Sequence, residues 1–151
     1  NTWSGWAYAS NFDDKPVTST YVSSLGGSMD ELHIIVIDED GLWTGTQNTV
    51  LERFSYVSKA SDAKNPDGSS SYYKDVINNT SKYIWWMDHP TGVTSGNSSI
   101  GSSITGDKYA NLTANVTVSL SGGVSADSPA DGNLTSALSI FANDGCFPGE
   151  Q

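Results

Sequence analysis

Six residues, Leu32-His33-Ile34-Ile35-Val36-Ile37, constrain this chain more than any others. Five are large and apolar, and the last four in a row are β-branched. Such side chains are stiff at χ1 and suit a pleated strand. They do not alternate with polar residues, so both faces of the strand need covering. The run therefore predicts a central strand with something packed on either side. It ends in Asp38-Glu39-Asp40-Gly41. Carboxylates at the end of a buried strand are where enzymes often hold a metal or a base, and they are also what a tight turn looks like. Asp40-Gly41 favours the turn, because both residues accept the positive φ values that hairpin turns need. Leu42-Trp43-Thr44 can then pair back, and Gly45-Thr46-Gln47-Asn48 turns again. Thr49–Ser58 reads as a second strand, with Val50, Phe54 and Tyr56 of like parity and polar Glu52 among them.

A metal site at the triplet needs ligands that converge, and consecutive residues of an extended chain point to opposite faces. An EF-hand loop places its acids at alternate positions, with Gly sixth and Glu twelfth. Here Gly41 follows the triplet directly. The turn is the preferred reading, so Asp38→Asn is expected to cost stability or assembly and no chemistry.

Beyond residue 58, Asn65-Pro66 and Asp67-Gly68 make 59–71 a loop. Tyr73, Val76, Ile77 and Thr80 fall at i, i+3, i+4 and i+7. That spacing predicts a short helix, with Ser69, Ser70 and Ser71 as N-cap candidates and Asn78-Asn79 at its end. Lys82–Met87, rich in aromatic and branched residues, predicts a strand. Residues 88–109 hold much Gly, Ser, Thr and Asn and little suited to a core, which predicts a long surface loop. Leu112, Ala114, Val116, Val118 and Leu120 alternate with Thr113, Asn115, Thr117 and Ser119, the pattern of a strand with one buried face. Leu134, Ala137, Leu138 and Phe141 have helical spacing. The order β, β, α, β, loop, β, α predicts an α/β or α+β fold, a mixed sheet with helices packed on it. Residues 1–31 read as irregular chain that packs by Trp3, Trp6, Tyr8, Phe12 and Tyr21. Residues 32–145 form one core domain, and 146–151 a tail.

Charge and cysteine content narrow the function classes. Seventeen acidic residues oppose seven basic ones, a formal net charge of -10. A nucleic-acid binder needs the opposite sign to neutralise phosphates, and anionic membrane surfaces are disfavoured likewise. Cys146 is the single cysteine, so no intrachain disulfide and no cysteine-based zinc site can form. No apolar run approaches a membrane span of about 20 residues, and "NTWSGWAYAS" has no signal-peptide pattern. A start at Asn1 reads as a piece of something longer. Asn-x-Ser/Thr sequons stand at Asn78, Asn79, Asn97, Asn111, Asn115 and Asn133. The abundance of Ser, Thr and Asn is the plainer cause of them, and a secreted glycoprotein is the other.

Three further constellations bear on chemistry. Asp88-His89 is a pair suited to general-base catalysis, but it sits beside Pro90 with no nucleophile motif nearby, and His33 reads as a packing residue. Asp62, Asn65 and Asp67 miss the alternate register of a calcium loop and read as a polar turn. Trp3, Trp6, Trp43, Trp85 and Trp86 suggest a sugar-stacking platform, yet adjacent Trp85 and Trp86 in a strand must face opposite ways, and aromatics serve packing more often. No phosphate loop, G-x-S-x-G elbow, H-E-x-x-H or kinase motif is present.

The order of several pieces carries more than any one of them. "DELH" before an apolar strand, "DEDG", "TVLERF", "VSKASDAK", "DGSSSYYKDVIN" and "SKYIWW" follow one another between residues 26 and 86. "VSLSGGV" (118–124) and "LTSALSIFAN" (134–143) come after them. In that order and spacing the chain resembles the tail sheath proteins of contractile-tailed bacteriophages over roughly residues 20–143. The resemblance implies an α/β core and a structural role without catalysis, cofactor or metal. It implies that sheath subunits stack as hexameric rings around a tail tube and contract to drive the tube through the host envelope. It implies as partners other sheath subunits and the tail tube protein, with neither nucleic acid nor membrane. The location implied is the virion, and the bacterial host cytoplasm during assembly. Sheath proteins are several times longer than this chain, and their terminal arms are not identifiable here, so the resemblance implies an internal fragment. The acidic surface is then expected to face basic patches on neighbouring subunits, a contact that salt weakens. Two other readings stand beside it. One is a secreted carbohydrate-binding module using the tryptophans, and the other a metal-dependent hydrolase built on Asp38, Asp40 and His89.

Overall fold

The structure is a computed structural model that describes residues 3–87, 100–104, 109 and 117–121. The chain divides into two compact units, Asn1–Val118 and Ser119–Gln151. Only 119–121 of the second are described, and all three are exposed.

In the first unit a 3₁₀ turn at Ala9–Asn11 precedes helix α1 (Thr20–Ser24). Strand β1 (Glu31–Asp38), strand β2 (Thr49–Ser58) and helix α2 (Tyr73–Thr80) follow. β1 and β2 pair antiparallel as one hairpin, joined by residues 39–48. Among the described residues this is a two-stranded sheet with two helices, a mixed α+β arrangement. β1 thus has one strand neighbour there, and the expected central place in a wider sheet is not seen. Leu42–Thr44 does not pair back but lies in the connecting loop.

Both faces of β1 are nevertheless partly covered. Leu32, Ile34 and Val36 pack with Phe54, Val57, Tyr73, Ile77 and Ile100, where the apolar stripe of α2 meets the hairpin. On the other face, His33 lies under the N-terminal aromatics, with Phe12 stacked on its ring at 4.2 Å. This double cover accounts for the absence of alternation.

The ladder slips twice. Leu32 pairs with Val57 and Ile34 with Phe54, leaving His33 opposite two residues, Ser55 and Tyr56. Val36 pairs with Glu52 and Ile37 with Val50, which leaves Leu51 as an extra residue. Each is a β-bulge, and a bulge inverts the side-chain parity beyond it. The single parity expected for Val50, Phe54 and Tyr56 therefore fails, and Val57 and Ser58 are buried consecutively.

Helix α2 begins and ends close to its expected limits. Its N-cap is Tyr72, which makes no side-chain capping bond. The serines act one step removed, as Ser70 Oγ donates to Asp75 at 2.8 Å and accepts from the Tyr72 amide at 3.3 Å. Lys82–Met87 is not a strand, and Lys82 and Tyr83 lie in a bend. Its backbone is held by side chains. Asn78 accepts from the Trp86 amide (2.7 Å) and donates to the Trp86 carbonyl (3.1 Å). The Ile84 amide donates to Ser81 Oγ, and the Lys82 amide to Glu52.

The stretch 88–109 contributes to the core after all. Ile100 joins the hairpin cluster, while Ile104 and Tyr109 pack with Val22, Ala60 and Ala63. The Gly101 amide donates to the Lys59 carbonyl and the Ser61 amide to that of Ser102. Residues 1–31 are likewise more ordered than expected, contributing α1, buried Phe12 and buried Val22. Where the strand expected at 112–120 is described, at 117–120, the chain is not in a strand, and Val118 and Leu120 are exposed. The rest of that segment and the helix expected at 134–141 lie outside the described residues.

The first unit is knotted by a buried polar relay. Asp30 is fully buried. Its Oδ1 accepts from the Ser19 amide, and its Oδ2 accepts from Ser19 Oγ (2.9 Å) and Ser58 Oγ (2.6 Å). Each hydroxyl also accepts from a backbone amide, Ser19 from Val22 and Ser58 from Ala60. The Asp30 carbonyl takes the Lys59 amide, and Lys59 Nζ donates to the Met29 carbonyl at 2.9 Å. One carboxylate thereby ties the cap of α1 to the end of β2.

Candidate functional site

The acidic triplet is a loop organiser. Asp38 is buried, and its Oδ2 accepts from the Trp43 amide (3.0 Å), the Thr44 amide (2.8 Å) and Thr44 Oγ1 (2.9 Å). Burial pushes its carboxyl up. The bonds from Thr44, Trp43 and the Gly41 amide outweigh that and hold it below the usual carboxylate range. Gly41 has φ +75, and a Cβ there would lie 2.8 Å from the Thr46 and Gln47 backbone. Its glycine is thus required by conformation and space together. Glu39 and Asp40 point to solvent, as divergence along the chain predicts. Among the described residues no three His, Cys, Asp or Glu side chains are grouped to hold a metal.

Asp38→Asn keeps one accepting oxygen but removes the charge that strengthens these bonds and sets an NH₂ donor where the second carboxylate oxygen stood. We expect a lower melting temperature, with the loss concentrated in hydrogen-exchange protection of the Trp43 and Thr44 amides. Because its folded value is depressed, Asp38 stabilises above the ordinary carboxylate range, and that contribution is lost as pH falls through the depressed value.

The other candidates separate. Asp62 Oδ1 accepts from the Ile104 amide at 3.0 Å, which is a packing role. Asp67 takes the Ser69 hydroxyl and amide, which hold its carboxyl below the usual range. Asn65 donates to Ser69 Oγ. Asn65 and Asp67 thus close a polar turn on Ser69, while Asp62, expected in the same turn, is engaged elsewhere. Asp88 and His89 lie outside the described residues. His33 packs among Trp3, Phe12 and Tyr56.

The tryptophans take three different positions. Trp3 and Trp6 join Phe12 and His33 in one aromatic cluster, with Trp6 stacked on Phe12 at 5.4 Å. Trp86 turns inward and meets Tyr73 edge-on at 5.1 Å. Trp85 faces out, 66% exposed. Tyr83 (40% exposed) and Met87 (77%) are exposed like Trp85, while Ile84 and Trp86 between them are half-buried. Trp43 (74%) leans on Tyr83 with ring centroids 5.3 Å apart, and Leu42 (85%) stands beside it in sequence. The rings of Trp43 and Tyr83 are at 68°, so they do not form a flat platform.

This ridge holds five of the ten exposed large apolar side chains among the described residues. Sequence reasoning named two of its members as tryptophans but missed Leu42, Tyr83 and Met87. The signal was the alternation 83, 85, 87 against 84, 86. Glu39 and Asp40 lie on the loop that carries Trp43, and Lys82 adjoins Tyr83 in sequence. Lys74 Nζ reaches the Met87 carbonyl at 3.0 Å. Charged residues of both signs thus stand near ridge residues in sequence, and Lys74 touches Met87.

No protein-family model, no curated protein and no solved structure matches the chain.

Proposed function

We propose that this chain is part of a tail sheath subunit of a contractile-tailed bacteriophage. Its work is assembly, with other sheath subunits and the tail tube protein as partners, in the host cytoplasm and then in the virion. The observation that carries the reading is the ridge of Leu42, Trp43, Tyr83, Trp85 and Met87 left in water on an acidic chain. Contiguous apolar surface of that kind marks contact with another protein. Charges of both signs near ridge residues in sequence let a second copy of a net-negative chain approach without uniform repulsion. The hairpin, loop and α2, from Glu31 to Thr80, also lie within 26–86, the stretch that holds most of the pieces behind the resemblance. The bound functional groups near the acidic triplet favour assembly over catalysis, since the Asp38 oxygen that faces the loop already serves three donors.

The test is a double substitution, Trp85→Ser with Met87→Ser, in the sheath-length protein. Tubular or ring-shaped assemblies seen by electron microscopy with the parent should disappear, while the circular dichroism spectrum stays unchanged. Assemblies that persist in the variant would remove this surface from the contact.

Exposed Trp43, Tyr83 and Trp85 also keep a second reading in view, a carbohydrate-binding module. Trp85, and not inward-facing Trp86, is then the residue to change. A glycan-array signal lost on Trp85→Ala would support sugar binding, and no signal from the parent would dispose of it.

A further inference from the structure

We propose that Asn78 is the positioning residue of the ridge: its side-chain amide, gripping the Trp86 backbone, decides that Tyr83, Trp85 and Met87 face water and Trp86 the core. The inference rests on the ridge being the contact surface between copies. Exposure alternates along the segment. Tyr83, Trp85 and Met87 are exposed, while Ile84 and Trp86 are half-buried and pack against the hairpin cluster.

Two ordinary sources of that alternation are missing. An apolar-polar pattern normally fixes which side of a segment turns inward. Here residues 83–87 read Tyr-Ile-Trp-Trp-Met, apolar or aromatic throughout, so both sets suit a core. Trp85 and Trp86 are even the same residue type. A backbone ladder is the other source, and among the described residues the segment pairs with no strand.

Side chains supply what is missing. Asn78 Oδ1 accepts from the Trp86 amide at 2.7 Å, and its Nδ2 donates to the Trp86 carbonyl at 3.1 Å. A neighbouring antiparallel strand exchanges the same two bonds with one residue. Bonds to both the N–H and the C=O of one residue fix its rotation about the chain axis, and hence where its side chain points. The grip itself is anchored. Asn78 follows Ile77 on α2, and Ile77 is fully buried in the hairpin cluster. The Trp86 ring meets Tyr73 of the same helix edge-on at 5.1 Å.

The start of the segment is tied to other residues. Glu52 on β2 accepts from the Lys82 amide at 2.7 Å. Ser81 Oγ accepts from the Tyr83 amide at 3.2 Å and the Ile84 amide at 3.0 Å. These bonds set where the segment leaves α2. Asn78 then sets which way it faces two residues further on. At the far end Lys74 Nζ donates to the Met87 carbonyl, a single bond from a long flexible side chain that fixes no rotation.

Asn78→Ala removes both bonds to Trp86 and favours the helix that carries them, because alanine is the better helix former. Hydrogen exchange should show the Trp86 amide losing at least about tenfold in protection, the equivalent of one net hydrogen bond. The Ser58 and Lys59 amides, bonded to the Ser71 and Asp30 carbonyls, should keep theirs, as should the Val76 amide within α2. In sedimentation velocity the concentration for half-association should rise at least about tenfold, since the ridge must then be ordered at the moment of contact. Unchanged protection at Trp86 would overturn the proposal, and so would parent-like association despite its loss. Equal loss at Ser58 and Lys59 would mean general destabilisation and refute a positioning role. Parent-like association of Trp85→Ser with Met87→Ser is a separate failure, that of the ridge as contact surface, and Asn78 is then judged by Trp86 exchange alone.

Discussion

Asp30→Ala lowers the unfolding free energy of the first unit by about 3–5 kcal/mol, the range for removing one charged partner from a buried network. The cost comes from what is left behind. Ser19 Oγ and Ser58 Oγ each already accept from a backbone amide, so each must donate to Asp30. Without the carboxylate, the buried Ser58 hydroxyl, the half-buried Ser19 hydroxyl and the Ser19 amide lose their acceptor together. Asp30→Asn recovers part of this, because its one oxygen can serve the two hydroxyls at the Oδ2 position while its NH₂ then faces the Ser19 amide, donor against donor. Urea denaturation of the two variants measures the effect. A loss below about 1 kcal/mol for Asp30→Ala would mean that the relay contributes only surface-like bonds.

Lys59→Met raises stability at neutral pH and flattens its dependence on pH. The Lys59 side chain is only 1% exposed. Burial pulls its ammonium down from the ordinary 10.5 to about 8, and the Asp30 charge pushes back with smaller effect. Because the folded value is the lower one, the native chain sheds this proton first as pH rises. Between about 8 and 10.5 the unfolded chain binds more protons, so stability climbs across that window and not below it. At about 1.4 kcal/mol per pH unit the ceiling is about 3 kcal/mol. The bonds of the Lys59 side chain, that to the Met29 carbonyl among them, are lost in the variant and offset part of this. The gain at pH 7 therefore falls below that ceiling. Chemical denaturation at pH 7 and pH 10 should show the parent gaining on the variant over that interval, and parallel profiles would contradict the assignment. Lys59 and Asp30 share one site, so Asp30→Ala should cost less in the Lys59→Met background than alone.

Neither residue announces itself in the sequence. Asp30 stands in "SMDEL" and Lys59 in "VSKAS", settings that read as solvated loop. Their burial depends on partners far along the chain, Ser19 at 11 residues and Ser58 at 28 from Asp30. No periodicity encodes such a pairing. The hairpin and α2 were legible because their information is local. Ile34–Ile37 sets a strand, and Tyr73, Val76, Ile77 and Thr80 set one helix face. The segment 82–87 shows the limit of that information. Its composition says strand, yet its inner edge is held by Asn78, Ser81 and Glu52, side chains that leave no repeating trace. Alternation still placed Trp85 and Trp86 on opposite sides, while which of them faced water depended on the packing of α2 against the hairpin.

The acidic triplet shows the converse. Asp38 looked like a ligand by type and a turn by neighbourhood, and neighbourhood won. Its lone pairs face amides of its own loop, and Gly41 supplies the conformation that closes the loop. His33 was read as a packing residue, and its stacking on Phe12 bears that out. The left-handed Tyr56 beside it was beyond reach, because a bulge is a property of two strands in register and not of either alone.

The central claim is that this chain is built to assemble through the ridge of Leu42, Trp43, Tyr83, Trp85 and Met87. Sedimentation velocity over a range of protein concentrations tests it most directly, run on the parent chain and on Trp85→Ser with Met87→Ser. The account predicts reversible association of the parent that grows with concentration and is abolished in the folded variant. A parent that stays monomeric throughout, or a variant that associates equally, would contradict it.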